Sequence, residues 1–194
     1  MFTADLPTMV VSVALLAALV AVLVLSLLCL RRPSTATMAV AGALAVLAVI
    51  AVSTAQPMHV PPGFGALIAV AGVAAAAVGG NPFTRRALDI ATGKRVRETA
   101  DGGIVIVPAR AGGDAEARTL MRGGTVIGYL ERIAVAISIL VGYPAVIAAI
   151  VAVKGIGRFP ELGESEARER FIIGTLASMI WAGVIGAVVS LALG

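Results

Sequence analysis

Nine residues in the last third of the chain could do chemistry together: Glu131, Arg132, Lys154, Arg158, Glu161, Glu169, Arg170, Thr175 and Ser178. They are ionisable or hydroxylic groups set inside or beside long apolar runs. Cations and hydroxyls gathered in a poorly hydrated place bind oxyanions, because charge-assisted hydrogen bonds are strong there. The same groups can instead neutralise one another as an ion-pair network that fixes helix registry. Both readings follow from the residue types.

Spacing narrows the pairing. Glu131 and Arg132 are helical neighbours, which do not face each other, so they need different partners. Lys154 or Arg158 suits Glu131, and Glu161 or Glu169 suits Arg132. Lys154 and Arg158 are four apart and share a helix face, left open by Gly155 and Gly157. Glu166 and Arg170 form an i, i+4 pair in the favourable order. Thr175 and Ser178 add hydroxyls beyond Arg170. Together these residues could form a vestibule for an anion such as a lipid phosphate.

Catalysis is not indicated. His59 stands alone, and no serine–histidine pair, zinc spacing or nucleotide fingerprint is present. No catalytic residue, metal or cofactor is expected. Cys29 is the single cysteine, so an intramolecular disulfide is excluded. Its neighbours Leu27 and Leu28 are too bulky for a lipoprotein cleavage site, and Cys29 reads as a core residue near a helix end.

The elements that position these groups must be membrane helices. The chain has 59% apolar residues, only 13% charged residues and a mean hydropathy of +1.02. The apolar runs are continuous rather than alternating, which favours helices over a barrel. The formal charge of +4 reads as loop Lys and Arg that orient the spans rather than as a nucleic-acid surface. The N-terminal segment has Asp5 before the first apolar run and Arg31 and Arg32 after it. It is therefore a span with its N-terminus outside, not a secretory signal.

Three spans are expected in residues 1–80, over 8–30, 37–54 and 64–80, with a short proline-rich loop at 56–63. Residues 81–124 form a cytosolic loop. In it, Asn81 caps a short surface helix through Thr84 to Leu88, with Pro82 at its first position and Gly93 as its stop. Asp101-Gly102 joins 94–98 and 104–107 as a hairpin, and Asp114 caps a helix through Ala115 to Arg122.

Residues 125–194 hold the remaining spans. Either 125–158 is one very long helix, giving five spans, or it breaks at Gly142-Tyr143-Pro144, giving six. The break is preferred because it puts all 15 Lys and Arg on the cytosolic side or at its interface. Glu131 lies 11 residues before Gly142, and Lys154 lies 11 after Tyr143. Both are then roughly 16 Å from the turn, at equal depth. The last span covers 171–193, with Gly174, Ser178 and Ala182 as a close-packing stripe and Trp181 in the core.

Three segments resemble a family of small, uncharacterised multi-span bacterial inner-membrane proteins, common in high-GC Gram-positive bacteria. They are Ile127-Gly128-Tyr129-Leu130-Glu131-Arg132, Lys154-Gly155-Ile156-Gly157-Arg158-Phe159-Pro160-Glu161-Leu162 and Glu169-Arg170-Phe171-Ile172-Ile173-Gly174-Thr175. A weaker likeness lies at Gly79-Gly80-Asn81. The resemblance implies the segmentation and the importance of the cluster, and no activity.

The expectation is an all-α, six-span plasma-membrane bundle among membrane lipids, with a cluster facing the cytosol that binds or conducts an anionic solute or lipid headgroup. The alternative is a non-catalytic scaffold or accessory subunit. It would assemble with itself or a membrane complex through Gly/Ala-rich helix faces.

Overall fold

The computed structural model describes residues 6–55, 60–93, 104–106, 118–120, 124–161, 163 and 165–194. Among them are six α-helices: α1 (Leu6–Arg31), α2 (Thr35–Thr54), α3 (Pro62–Thr92), α4 (Gly124–Leu140), α5 (Val146–Arg158) and α6 (Ser165–Leu193). A 3₁₀ turn, Phe159–Glu161, follows α5. Helices α1, α2, α3 and α6 are long and apolar enough to cross a membrane. Large apolar side chains stand exposed along them, among them Val10, Leu28, Leu47, Val70 and Ile180. So much exposed apolar surface suits lipid and not water.

The helix ends follow local chemistry. Ser34 caps α2 in an extended conformation, its hydroxyl accepting the Thr37 N–H. Pro62 opens α3 at a position where its missing N–H costs nothing. Gly93 closes α3 with φ 63° in the left-handed region, as expected of a terminating glycine. Glu166 lies in the first turn of α6, where the helix dipole favours an acid.

α3 and α6 form the central pair. α1 packs on α2 and α3, α4 on both α3 and α6, and α5 on α4. Lipid offers no hydrophobic drive between helices, so close approach and dispersion hold them. Small residues allow that approach. A Cβ on Gly72 would overlap Val189, and one on Gly79 would overlap the Trp181 ring and crowd Ser26. The Trp181 indole is buried, donates to the Ala75 carbonyl at 3.1 Å and lies 5.3 Å from the Phe83 ring. Cys29 is buried near the end of α1, as expected. The small-residue stripe of α6 is internal: Ser178 and Ala182 are buried, and Gly174 faces Thr84 and Leu88 of α3.

Two expectations are overturned. First, Asn81 does not begin a new helix. α3 runs straight through Asn81 and Pro82 for 31 residues, about 46 Å at the helical rise. The proline removes one ladder donor, but packing of Thr84 and Leu88 under α6 holds the continuation. Second, residues 118–120 are not helical. Strand β1 (Ile104–Ile106) pairs antiparallel with β2 (Arg118–Leu120), Ile104 opposite Leu120 and Ile106 opposite Arg118. The expected hairpin of 94–98 with 104–107 about Asp101-Gly102, like His59, involves residues outside those described. The preferred break, by contrast, is present: 125–158 is not one helix. It breaks at 141–145, where Gly142 takes φ 74°, a value that favours glycine.

Candidate functional site

The break folds α5 back along α4 and brings Lys154 to Glu131. The ammonium donates to the carboxylate Oε2 at 2.5 Å, with side-chain exposures of 17% and 8%. Equal distance from the turn is what aligns them. A buried charge that loses its partner is costly, so the pair also pins α5, which has no buried residue of its own, to the bundle.

Arg132 points the other way, into the junction of α3, α4 and α6. It is 2% exposed. Its guanidinium donates to the Ala77 carbonyl at 2.7 Å, to the Asn81 side-chain oxygen at 2.8 Å and to the Ser178 hydroxyl at 3.1 Å. The Tyr129 ring lies 5.1 Å below Cζ, close enough for a cation–π contact. The acceptors are neutral, so the expected pairing of Arg132 with Glu169 is overturned. Glu169 is exposed on α6, and the side chain of Glu161 lies outside the described residues. The physical reason lies in α3. With Gly80 opposite and Ala76 and Ala77 a turn before it, the α3 backbone is bare enough for a guanidinium to lie against it. A Cβ on Gly80 would overlap Cδ of Arg132. Gly128, one turn before Arg132, leaves similar room for its Nη1.

Beside Arg132 opens a pocket of about 130 Å³ between α3, α4, α5 and α6. Five cations line it: Arg85, Arg132, Lys154, Arg158 and Arg170. Asn81, Thr84, Thr125, Thr175 and Ser178 add polar groups, and no carboxylate is among the described lining residues. The acids that serve these cations sit outside the lining. Glu131 holds Lys154, and the exposed Glu166 accepts from Arg170 at 2.6 Å. Three buried polar atoms on the lining have no hydrogen-bond partner among the described residues: the hydroxyls of Thr84 and Thr175 and Nε of Arg170. Buried polar atoms without protein partners are rare in folded proteins and are commonly met by a water or an ion.

The structure thus gathers Arg132, Lys154, Arg158, Arg170, Thr175 and Ser178 as expected from the sequence. It puts Glu131 behind Lys154 and leaves Glu169 out. Asn81, Thr84 and Arg85 were missed. Their spacing carries a signal, since Asn81, Thr84, Arg85 and Leu88 recur at i, i+3, i+4 and i+7, one helix face. Reading a helix start at Asn81 hid it. No protein-family model matches the sequence, and neither a curated protein nor a solved structure does.

Proposed function

We propose that this is a six-span plasma-membrane protein that binds a phosphate-type oxyanion, carried by a solute or a lipid headgroup, in the basic pocket beside Arg132. One observation carries the reading: among the described residues, five cations and no carboxylate line the pocket, while three buried polar atoms on its wall lack partners. An oxyanion adds several acceptor oxygens and negative charge to a wall rich in donors. Arg132 is fixed by its three hydrogen bonds and acts as a pre-placed charge. Binding is better supported than conduction, because Val135, Trp181, Ala182 and Ile185 close the interior beyond Ser178. Inorganic phosphate or pyrophosphate is expected to raise the melting temperature of the detergent-solubilised protein in a saturable way. Arg170→Gln should weaken the half-saturating concentration about tenfold, the loss of one charged hydrogen bond. A melting temperature that rises with chloride as much as with phosphate would instead indicate general salt screening.

The scaffold reading has less support. Gly72, Gly79, Gly80 and Gly186 meet side chains of the chain's own helices, so the close-packing faces are largely used internally.

The six-span reading rests on the α4–α5 hairpin. At 17 and 13 residues these helices are about 25 and 20 Å long, shorter than a hydrocarbon core of about 30 Å. They cross if the bilayer thins around them and Lys154 and Arg158 reach for the headgroups. Loop charge bias puts the pocket mouth in the cytosol. In a Cys29→Ser background, an impermeant thiol reagent outside the cell should label Tyr143→Cys and spare Gly163→Cys. Protection of Tyr143→Cys from both sides would make the hairpin a re-entrant element, and outside labelling of Gly163→Cys would reverse the orientation.

A further inference from the structure

A second cavity, about 570 Å³, runs along the outer side of the α4–α5 hairpin. It shares Ile127, Lys154 and Arg158 with the basic pocket, so the two spaces meet at Lys154. Its walls grade along their length. Arg158, Gly157 and Lys154 mark the basic end, and Val153, Ile150, Ala149 and Ala134 continue toward the turn. From Arg158 to Ala149 the helical rise gives about 13 Å of groove. The acid on the wall, Glu131, is bound to Lys154. Leu130 and Val153 stand 62% and 71% exposed beside it, so the groove opens sideways to the bilayer.

Building on the anion-binding reading, we infer that the ligand is an anionic lipid that enters sideways between α4 and α5, its phosphate in the basic pocket and one acyl chain along this groove. A free anion needs only the pocket. The groove adds an apolar track that begins at the same two cations and runs toward mid-membrane, the direction in which a lipid's chain leaves its phosphate. The bilayer itself supplies the ligand at high local concentration. Small residues make the track: a Cβ on Gly157 would meet nothing within 4 Å, and Ala149 is exposed. Substitutions there fill the groove without disturbing the bundle.

The test uses the full chain in detergent and follows its melting temperature against three probes: dioctanoyl phosphatidate, dioctanoylglycerol and inorganic phosphate. Phosphatidate is expected to half-saturate at a concentration at least tenfold below either of the others. Ala149→Phe and Gly157→Leu should each erase most of that advantage while phosphate binding stays as it was. Equal affinity for phosphatidate and phosphate would overturn the lipid inference and leave the pocket reading standing. So would a phosphatidate advantage that survives both groove variants, or dioctanoylglycerol binding as tightly as phosphatidate. No binding of either phosphate compound would remove the pocket reading as well.

Discussion

Glu131→Gln and Lys154→Met are each expected to destabilise the detergent-solubilised protein by about 3–5 kcal/mol, and the double change to restore most of the loss. The single changes each strand a charge where the side chains are 8% and 17% exposed, and removing one partner of a buried pair costs about that much. The double change leaves two neutral groups at the same place, which the α4–α5 contact accommodates by packing. The charge-swapped protein, Glu131→Lys with Lys154→Glu, should be more stable than either single variant. It should also lose affinity for phosphate, because the swap puts a carboxylate on the pocket wall. The thermal midpoints of the four proteins make a double-mutant cycle that isolates the coupling. Additive losses would mean that the two groups do not interact in the folded protein.

Gly80→Ala is expected to cost about 1–3 kcal/mol, the usual penalty of overpacking, and to cost close to nothing once Arg132 is alanine. The added methyl would sit on Cδ, Nε and Cζ of Arg132. That side chain has nowhere to go, since hydrogen bonds to Ala77, Asn81 and Ser178 hold it on three sides. Each hydrogen bond to a charged group contributes roughly 1.5–3 kcal/mol, which together offset the cost of burying the charge. Arg132→Ala is itself destabilising, as it empties the junction, but it removes the atoms the methyl would strike. Melting curves of the two single variants and the double variant decide the matter. If Gly80→Ala costs the same with alanine at 132, the close approach of α3 to the guanidinium is not what requires glycine.

Much of the site was legible because depth along a helix can be counted. Glu131 and Lys154 sit at matching distances from Gly142-Tyr143, and the pairing follows once the chain turns there. Pocket residues on α6 were legible from their spacing with Arg170. The partners of Arg132 were not, because two of the acceptors, a backbone carbonyl and an asparagine, sit on α3, and the carbonyl has no side-chain signature. Only the stretch from Ala74 to Gly80, alanine and glycine apart from Val78, hints that a side chain can reach the backbone there. The extension of α3 was hidden for a related reason: Asn-Pro is a strong local start signal, and tertiary packing of Thr84 and Leu88 outweighs it. The strand at 118–120 was hidden because Arg118-Thr119-Leu120 has no alternation long enough to oppose the helix-like run around it, and its partner strand is distant in sequence.

In the six-span arrangement proposed above, the Glu131–Lys154 contact also bears on how the chain enters the membrane during synthesis. α4 leaves the ribosome with two adjacent charges, each costing about 2.5–3.5 kcal/mol at the centre of a lone helix. The group that neutralises the first is 23 residues further on. The serine that helps to hold the second is 46 residues on. Stepwise insertion would therefore strand α4 in an unfavourable state until its partners arrive. Entry as a hairpin, with α4 and α5 partitioning together, cancels the first charge in transit, and Arg132 meets Ala77 and Asn81 on the α3 already in place.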